Sequence, residues 1–358
     1  MSAEGAVRTN DIYKEKKKKK TITKYLGCVC FKRDLQSGGD TMASLRVPEA
    51  ISPTQDCERL KKALQGFGTD EKTIISILGH RDASQIKTIR ETYQQLYNES
   101  LLDRLHDELS GDFRKAVKLW TYDPHERDAR LANEAVKAKK KPIKHLQVLI
   151  EISCASSPHH LIAVRKVYCS IFDCSMEEDI VAHVAMPLRK ILLALVSSYR
   201  YDKALVDTDL ANSDASTLRQ AVENKSLSGD EFVYILSTRS IPHLKETFYC
   251  YEKNFGTVLE DDVKDCGNGD LETLVRVAIQ CIAAPEKHFA EVIRRSMIGL
   301  GTDEDSLTRA IVVRAEIDMV KIKREYVKAY QTTVDGAVSG DTSGYYKKFL
   351  MTLLGANS

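Results

Sequence analysis

Two short stretches carry residue types that could act together on a metal ion. Gly66-Phe67-Gly68-Thr69-Asp70 is followed by Glu108, 42 residues after its first glycine, and Gly299-Leu300-Gly301-Thr302-Asp303 is followed by Asp341 at the same spacing. Two glycines around one residue let a loop take positive φ and turn its carbonyl oxygens outward. A carboxylate from a distant loop would then close the cage. Backbone carbonyls with one carboxylate form a hard-oxygen site, which suits Ca2+ better than Zn2+ or copper. So few charges predict weak affinity, about 10⁻⁴–10⁻³ M. Coordination positions left open would take water or a lipid phosphate oxygen. A single G-x-G-T reads only as a helix-ending glycine; two copies with the acid at one spacing carry the inference.

The elements that must position these groups read as helices. Leu60, Ala63 and Leu64 share one face, Ile74, Ile75, Ile77 and Leu78 another, and Ile86, Ile89, Tyr93, Leu96 and Tyr97 a third. Thr69 and Ser84 stand where N-caps belong, and Asp70 and Glu71 put negative charge at a helix start. Alternating β-type runs are scarce, so the fold class is all-α. Sliding the chain by 233 residues lays Gly66, Gly68, Arg81, Ile89, Tyr93 and Ser110 on Gly299, Gly301, Arg314, Ile322, Tyr326 and Ser343. Weaker copies at offsets of 75 and 158 place Tyr168 and Tyr251 on Tyr93. The sequence therefore holds four units of about five helices each, with a linker near Tyr199 to Ser213 between the second and third.

The four repeats, the two G-x-G-T-D-E loops and Val313-Arg314-Ala315-Glu316-Ile317-Asp318 together resemble an annexin, over a span from about Pro48 to Ser358. The opening Met42 to Leu60 and the survival of loops only in repeats one and four are most similar to plant annexins. The resemblance implies a curved, right-handed superhelical array of four repeats, bounded at 48–123, 124–198, 199–282 and 283–358 after a basic extension, 1–47, expected to be disordered. It implies calcium-dependent docking on acidic phospholipid membranes through type II calcium loops. Carried over residue by residue, the first site would use the carbonyls of Leu64, Gly66 and Gly68 with Glu108. The second would use those of Met297, Gly299 and Gly301 with Asp341 and Thr342 beside it. Phe67 and Leu300, apolar at the loop tips, would touch the membrane. At the matching positions repeat two has Lys141, Ile143 and His183, and repeat three has Asn224, Ser226 and Cys266, so neither should form such a site.

Composition narrows the alternatives. Lys plus Arg and Asp plus Glu nearly balance, at 53 and 51, and the surplus sits in residues 1–41, which argues against a nucleic-acid binder. No apolar run reaches 18 residues and no secretory signal opens the chain, and nine irregularly spaced cysteines read as reduced thiols, so a cytoplasmic protein, peripheral on membranes, is expected. It should be monomeric in solution, with self-association on membranes open. Lys16 to Lys20 reads as a solvated arm or an attraction to anionic lipid, and Cys28 and Cys30 as acylation candidates. Neither a Walker loop nor an EF-hand loop is present, and His80, near a histidine discussed for peroxidase activity in plant annexins, reads as a packing residue. A peroxidase or nucleotidase on the same scaffold is the rival function, and actin a further partner, with Lys347-Lys348 fitting it no better than solvent. The acid pairs Glu177-Glu178 and Asp261-Asp262 read as solvated helix faces.

Overall fold

Most helices begin where a short polar side chain can accept from a backbone amide of the first turn, a contact that stabilises a helix start by about 1 kcal/mol. Ser52, Asp70, Asp82, Ser100, Asp123, Ser157, Ser175, Asp207 and Ser240 all do so. The computed structural model describes residues 42–48, 50–66, 68–138 and 143–356, and these hold twenty α-helices and no strand. The first group is α1 (Pro53–Ala63), α2 (Glu71–Leu78), α3 (Ala83–Tyr97), α4 (Leu101–Glu108) and α5 (Gly111–Thr121). The second is α6 (Pro124–Lys137), α7 (Ile143–Cys154), α8 (Pro158–Phe172), α9 (Met176–His183) and α10 (Leu188–Val196). The third is α11 (Thr208–Glu223), α12 (Asp230–Thr238), α13 (Ile241–Phe255), α14 (Leu259–Cys266) and α15 (Asp270–Ala283). The fourth is α16 (Pro285–Ser296), α17 (Glu304–Arg314), α18 (Met319–Tyr330), α19 (Val334–Asp341) and α20 (Gly344–Leu353).

Buried apolar side chains fall into two clusters. One joins the first and fourth groups, and the other joins the second and third. The first and fourth groups are therefore neighbours in space. A polar seam crosses between the clusters, where Glu151 of α7 accepts from Arg309 of α17 and from His288 of α16 at 2.9 Å. Burial holds His288 well below its ordinary pKa, at about 4, so its imidazole is neutral.

Several expectations shift. The connection between the second and third groups spans 197–207, and Ser213 already lies in α11. Leu96, at the edge of its helical stripe, is exposed. Asp82 rather than Ser84 caps α3. Glu178, though exposed, closes a capping box with Ser175, and half-buried Asp262 accepts from Tyr251, Thr257 and Arg219. Of the extension, Met42 to Val47 lie along the fourth group: the Ser44 amide donates to Ala315 O at 2.9 Å and its hydroxyl to Leu353 O at 2.6 Å. Lys16 to Lys20, Cys28 and Cys30 lie outside the described residues.

Candidate functional site

The two glycine loops are built alike. In the first, Gly66 and Gly68 sit at φ +110° and +96°; in the second, Gly299 and Gly301 sit at +117° and +88°. No atom stands within 4 Å of where a Cβ would be, so backbone conformation rather than crowding demands glycine. Each loop is closed by one backbone bond, from the Asp70 amide to Ala63 O at 3.0 Å and from the Asp303 amide to Ser296 O at 2.7 Å. Asp70 and Asp303, not the threonines before them, cap α2 and α17. The Thr73 side chain and amide hold the Asp70 carboxyl below its usual range, and Asp303 is lowered by Lys144 and Ser306 despite its partial burial.

The threonines are thereby free to reach the closing acids. Thr69 Oγ1 donates to Glu108 O at 3.2 Å; Thr302 Oγ1 donates to Asp341 O at 3.1 Å and to Asp341 Oδ2 at 2.6 Å. These contacts bring each loop beside the acid 39 residues further on. The Thr342 hydroxyl instead turns back to Val338 O at 2.6 Å. Among the described residues no donor bonds to the carbonyls of Gly66, Gly68, Met297, Gly299 or Gly301, which leaves oxygen lone pairs on exposed loops. That donor set fits a hard cation. Among the described residues no cluster of three or more acidic, His or Cys side chains is placed to hold a metal, so any such site must draw on backbone oxygen.

The loops differ in what meets the acid. Arg104 Nη2 donates to Leu64 O at 2.8 Å and pairs with Glu108 Oε1 at 2.9 Å, so one nitrogen touches two of the expected ligands. The matching residue in the fourth group is Ala337. In the third group, Cys266 Sγ stands at the closing position and donates to Val222 O at 3.5 Å, and burial raises its pKa. In the second group, His183 Nδ1 bonds to Asp179 O at 2.8 Å, Ile143 starts α7, and Lys141 lies outside the described residues.

Leu300 is fully exposed at its loop tip, and Ile298 beside it is 59% exposed. Ile298 was missed in the sequence because it extends an apolar stretch that reads as helix end; its counterpart in the first loop is Gln65. Phe67 lies outside the described residues. Glu108 and Asp341 line one cleft of about 350 Å³ together with Glu71, Asp112 and Glu304. Lys144, in the second group, reaches Asp303 at 2.6 Å. His80 ends the turn after α2 half-buried, with Nδ1 unpartnered among the described residues. No described helix is long and apolar enough to cross a membrane.

A sequence model of the annexin family matches residues 55–120, 213–278 and 288–353. Annexin D3 of Arabidopsis thaliana is 54% identical, covering 88% of this chain and 99% of its own. The structure of annexin III superposes with a TM-score of 0.82 at 32% identity, over 88% of this chain and 98% of that one. A calcium-bound annexin (Sm)1 superposes with a TM-score of 0.77 at 27% identity, over 87% and 93%.

Proposed function

The chain belongs to the annexin family of calcium-dependent phospholipid-binding proteins, and on that premise we propose that it docks on acidic membrane surfaces through the loops of repeats one and four. Calcium is the ligand. The carbonyls of Leu64, Gly66 and Gly68 with Glu108 would hold one ion, and those of Met297, Gly299 and Gly301 with Asp341 the other. A bound ion supplies positive charge that protein oxygens and lipid phosphate share. The protein's part is to present those oxygens on one exposed edge and to add Leu300 and Ile298 as apolar contacts at the headgroup boundary.

The observation that carries this reading is the pair of loops whose glycine carbonyls lack partners among the described residues, each loop tied by a threonine to an acid. The relatives named above are annexins rather than enzymes, and the protein acts without a catalytic cycle, as a cytoplasmic protein that becomes peripheral on membranes. Its repeats divide at 48–123, 124–198, 199–282 and 283–358.

Sedimentation with phosphatidylserine vesicles tests the reading. Protein should pellet in calcium and stay in solution with chelator, and the double variant Glu108→Ala, Asp341→Ala should lose the calcium-dependent fraction. Equal pelleting under both conditions would refute it.

A further inference from the structure

Four residues before the closing position the repeats carry Arg104, Asp179, Asp262 and Ala337, an aspartate only in the second and third. The two aspartates meet the fully buried tyrosine of their repeat, and Arg104 meets the loop beside it. Asp179 and Asp262 accept from the hydroxyls of Tyr168 and Tyr251 at 2.5 and 2.7 Å. Arg104 can accept nothing. Tyr93 donates instead to Glu99 at 3.0 Å, and Lys61 pairs with that same carboxylate. The guanidinium is thereby released to turn toward the loop, where Nη2 meets both Leu64 O and Glu108 Oε1.

We propose that Arg104 is a tethered cation that occupies the repeat-one cage until calcium displaces it, so that the repeat-four loop loads at lower calcium and repeat one loads second. This rests on the reading of both loops as calcium sites. A cation already satisfying a carbonyl and the single carboxylate of a cage must leave before those oxygens can turn to Ca2+, and its departure weakens apparent affinity by the fraction of time it is seated. Its seat is of the displaceable kind. Arg81 and Asp56 form a buried two-pronged pair through Nε and Nη2 at 2.8 and 3.0 Å. Among the described residues Arg104 uses Nη2 alone and its buried Nε has no partner, and both side chains of the pair are more than a quarter exposed. Divalent charge and several oxygen ligands outcompete one such contact. Among the described residues repeat four has no competing side chain there, because Ala337 cannot reach and the neutral Thr302 hydroxyl alone meets Asp341.

The test is lipid-free. Calcium that binds the native state raises the thermal midpoint by an amount set by its Kd, which serves for weak sites. In the Asp341→Ala protein, which retains only the repeat-one site, Arg104→Ala and the near-isosteric Arg104→Gln should each lower the calcium needed for a given rise by about fivefold. The same substitutions in the Glu108→Ala protein should change nothing, since the tether's partner is gone. Conversely, Ala337→Arg in the Glu108→Ala protein should raise the calcium requirement of repeat four. An unchanged titration for both Arg104 variants, in a protein that still responds to calcium, overturns the tether and leaves the calcium loops standing. No response in either Asp341→Ala or Glu108→Ala protein overturns the loops and the tether together.

Discussion

The first and fourth loops have matching glycine φ values, the same closing backbone bond and the same aspartate cap, yet they present different surfaces to a cation. In the first, a guanidinium lies between a carbonyl and the closing glutamate, and Gln65 stands where the fourth loop has Ile298. In the fourth, the aspartate meets only a hydroxyl, and Ile298 and Leu300 stand out into solvent. Equal backbones thus do not make equal sites. The side chains four residues before the acid, Arg104 and Ala337, differ where the backbones match.

Asp341→Ala should break this asymmetry most visibly, because it removes the closing carboxylate of the less encumbered loop. The calcium needed for half-maximal vesicle pelleting should rise about thirtyfold, against about threefold for Glu108→Ala, whose carboxylate is already partly neutralised. Equal shifts would mean the loops are equivalent. Where the backbones match, the costs should match too: Gly301→Ala and Gly68→Ala each force a side chain to positive φ and should destabilise by about 1–2 kcal/mol, read as a lowered thermal midpoint.

The tip difference is smaller. Ile298→Asp should raise the lipid needed for half-binding about fivefold at fixed calcium, and Gln65→Asp at the matching position much less. Matching losses at both tips would remove the apolar distinction. The smallest effect concerns the buried tyrosines. Burial pushes the phenols of Tyr93, Tyr168 and Tyr251 up, and each donates to a carboxylate, whereas the Tyr326 hydroxyl is buried with no partner among the described residues. Tyr251→Phe should therefore cost about 1 kcal/mol, and Tyr326→Phe about zero or a slight gain, by chemical denaturation.

Much of the architecture was legible from spacing. Leu60, Ile74, Ile89 and Tyr93 fall on buried faces because a helix repeats every 3.6 residues, and the duplicated register placed Tyr326 in the same role as Tyr93. The cap assignments at Thr69 and Ser84 failed by a residue or two, because aspartates nearby compete for the same amides and which one wins depends on loop geometry. The linker was drawn too long because Asp207 and Thr208 start a helix in a stretch that still looks like loop chemistry.

The sequence by itself determined the helical repeat, the loops that take left-handed backbone and the acids at fixed distance from them, since these depend on residues within a turn or on exact duplication. That the first and last repeats share one hydrophobic cluster and turn Glu108 and Asp341 into a single cleft was decided only by tertiary packing. So was the position of Arg104. Its partners are Leu64, just past the end of α1, and Glu108, one turn away, and its choice between them and solvent turns on Glu99 having satisfied Tyr93. Such choices are settled by groups that meet only once the chain is folded.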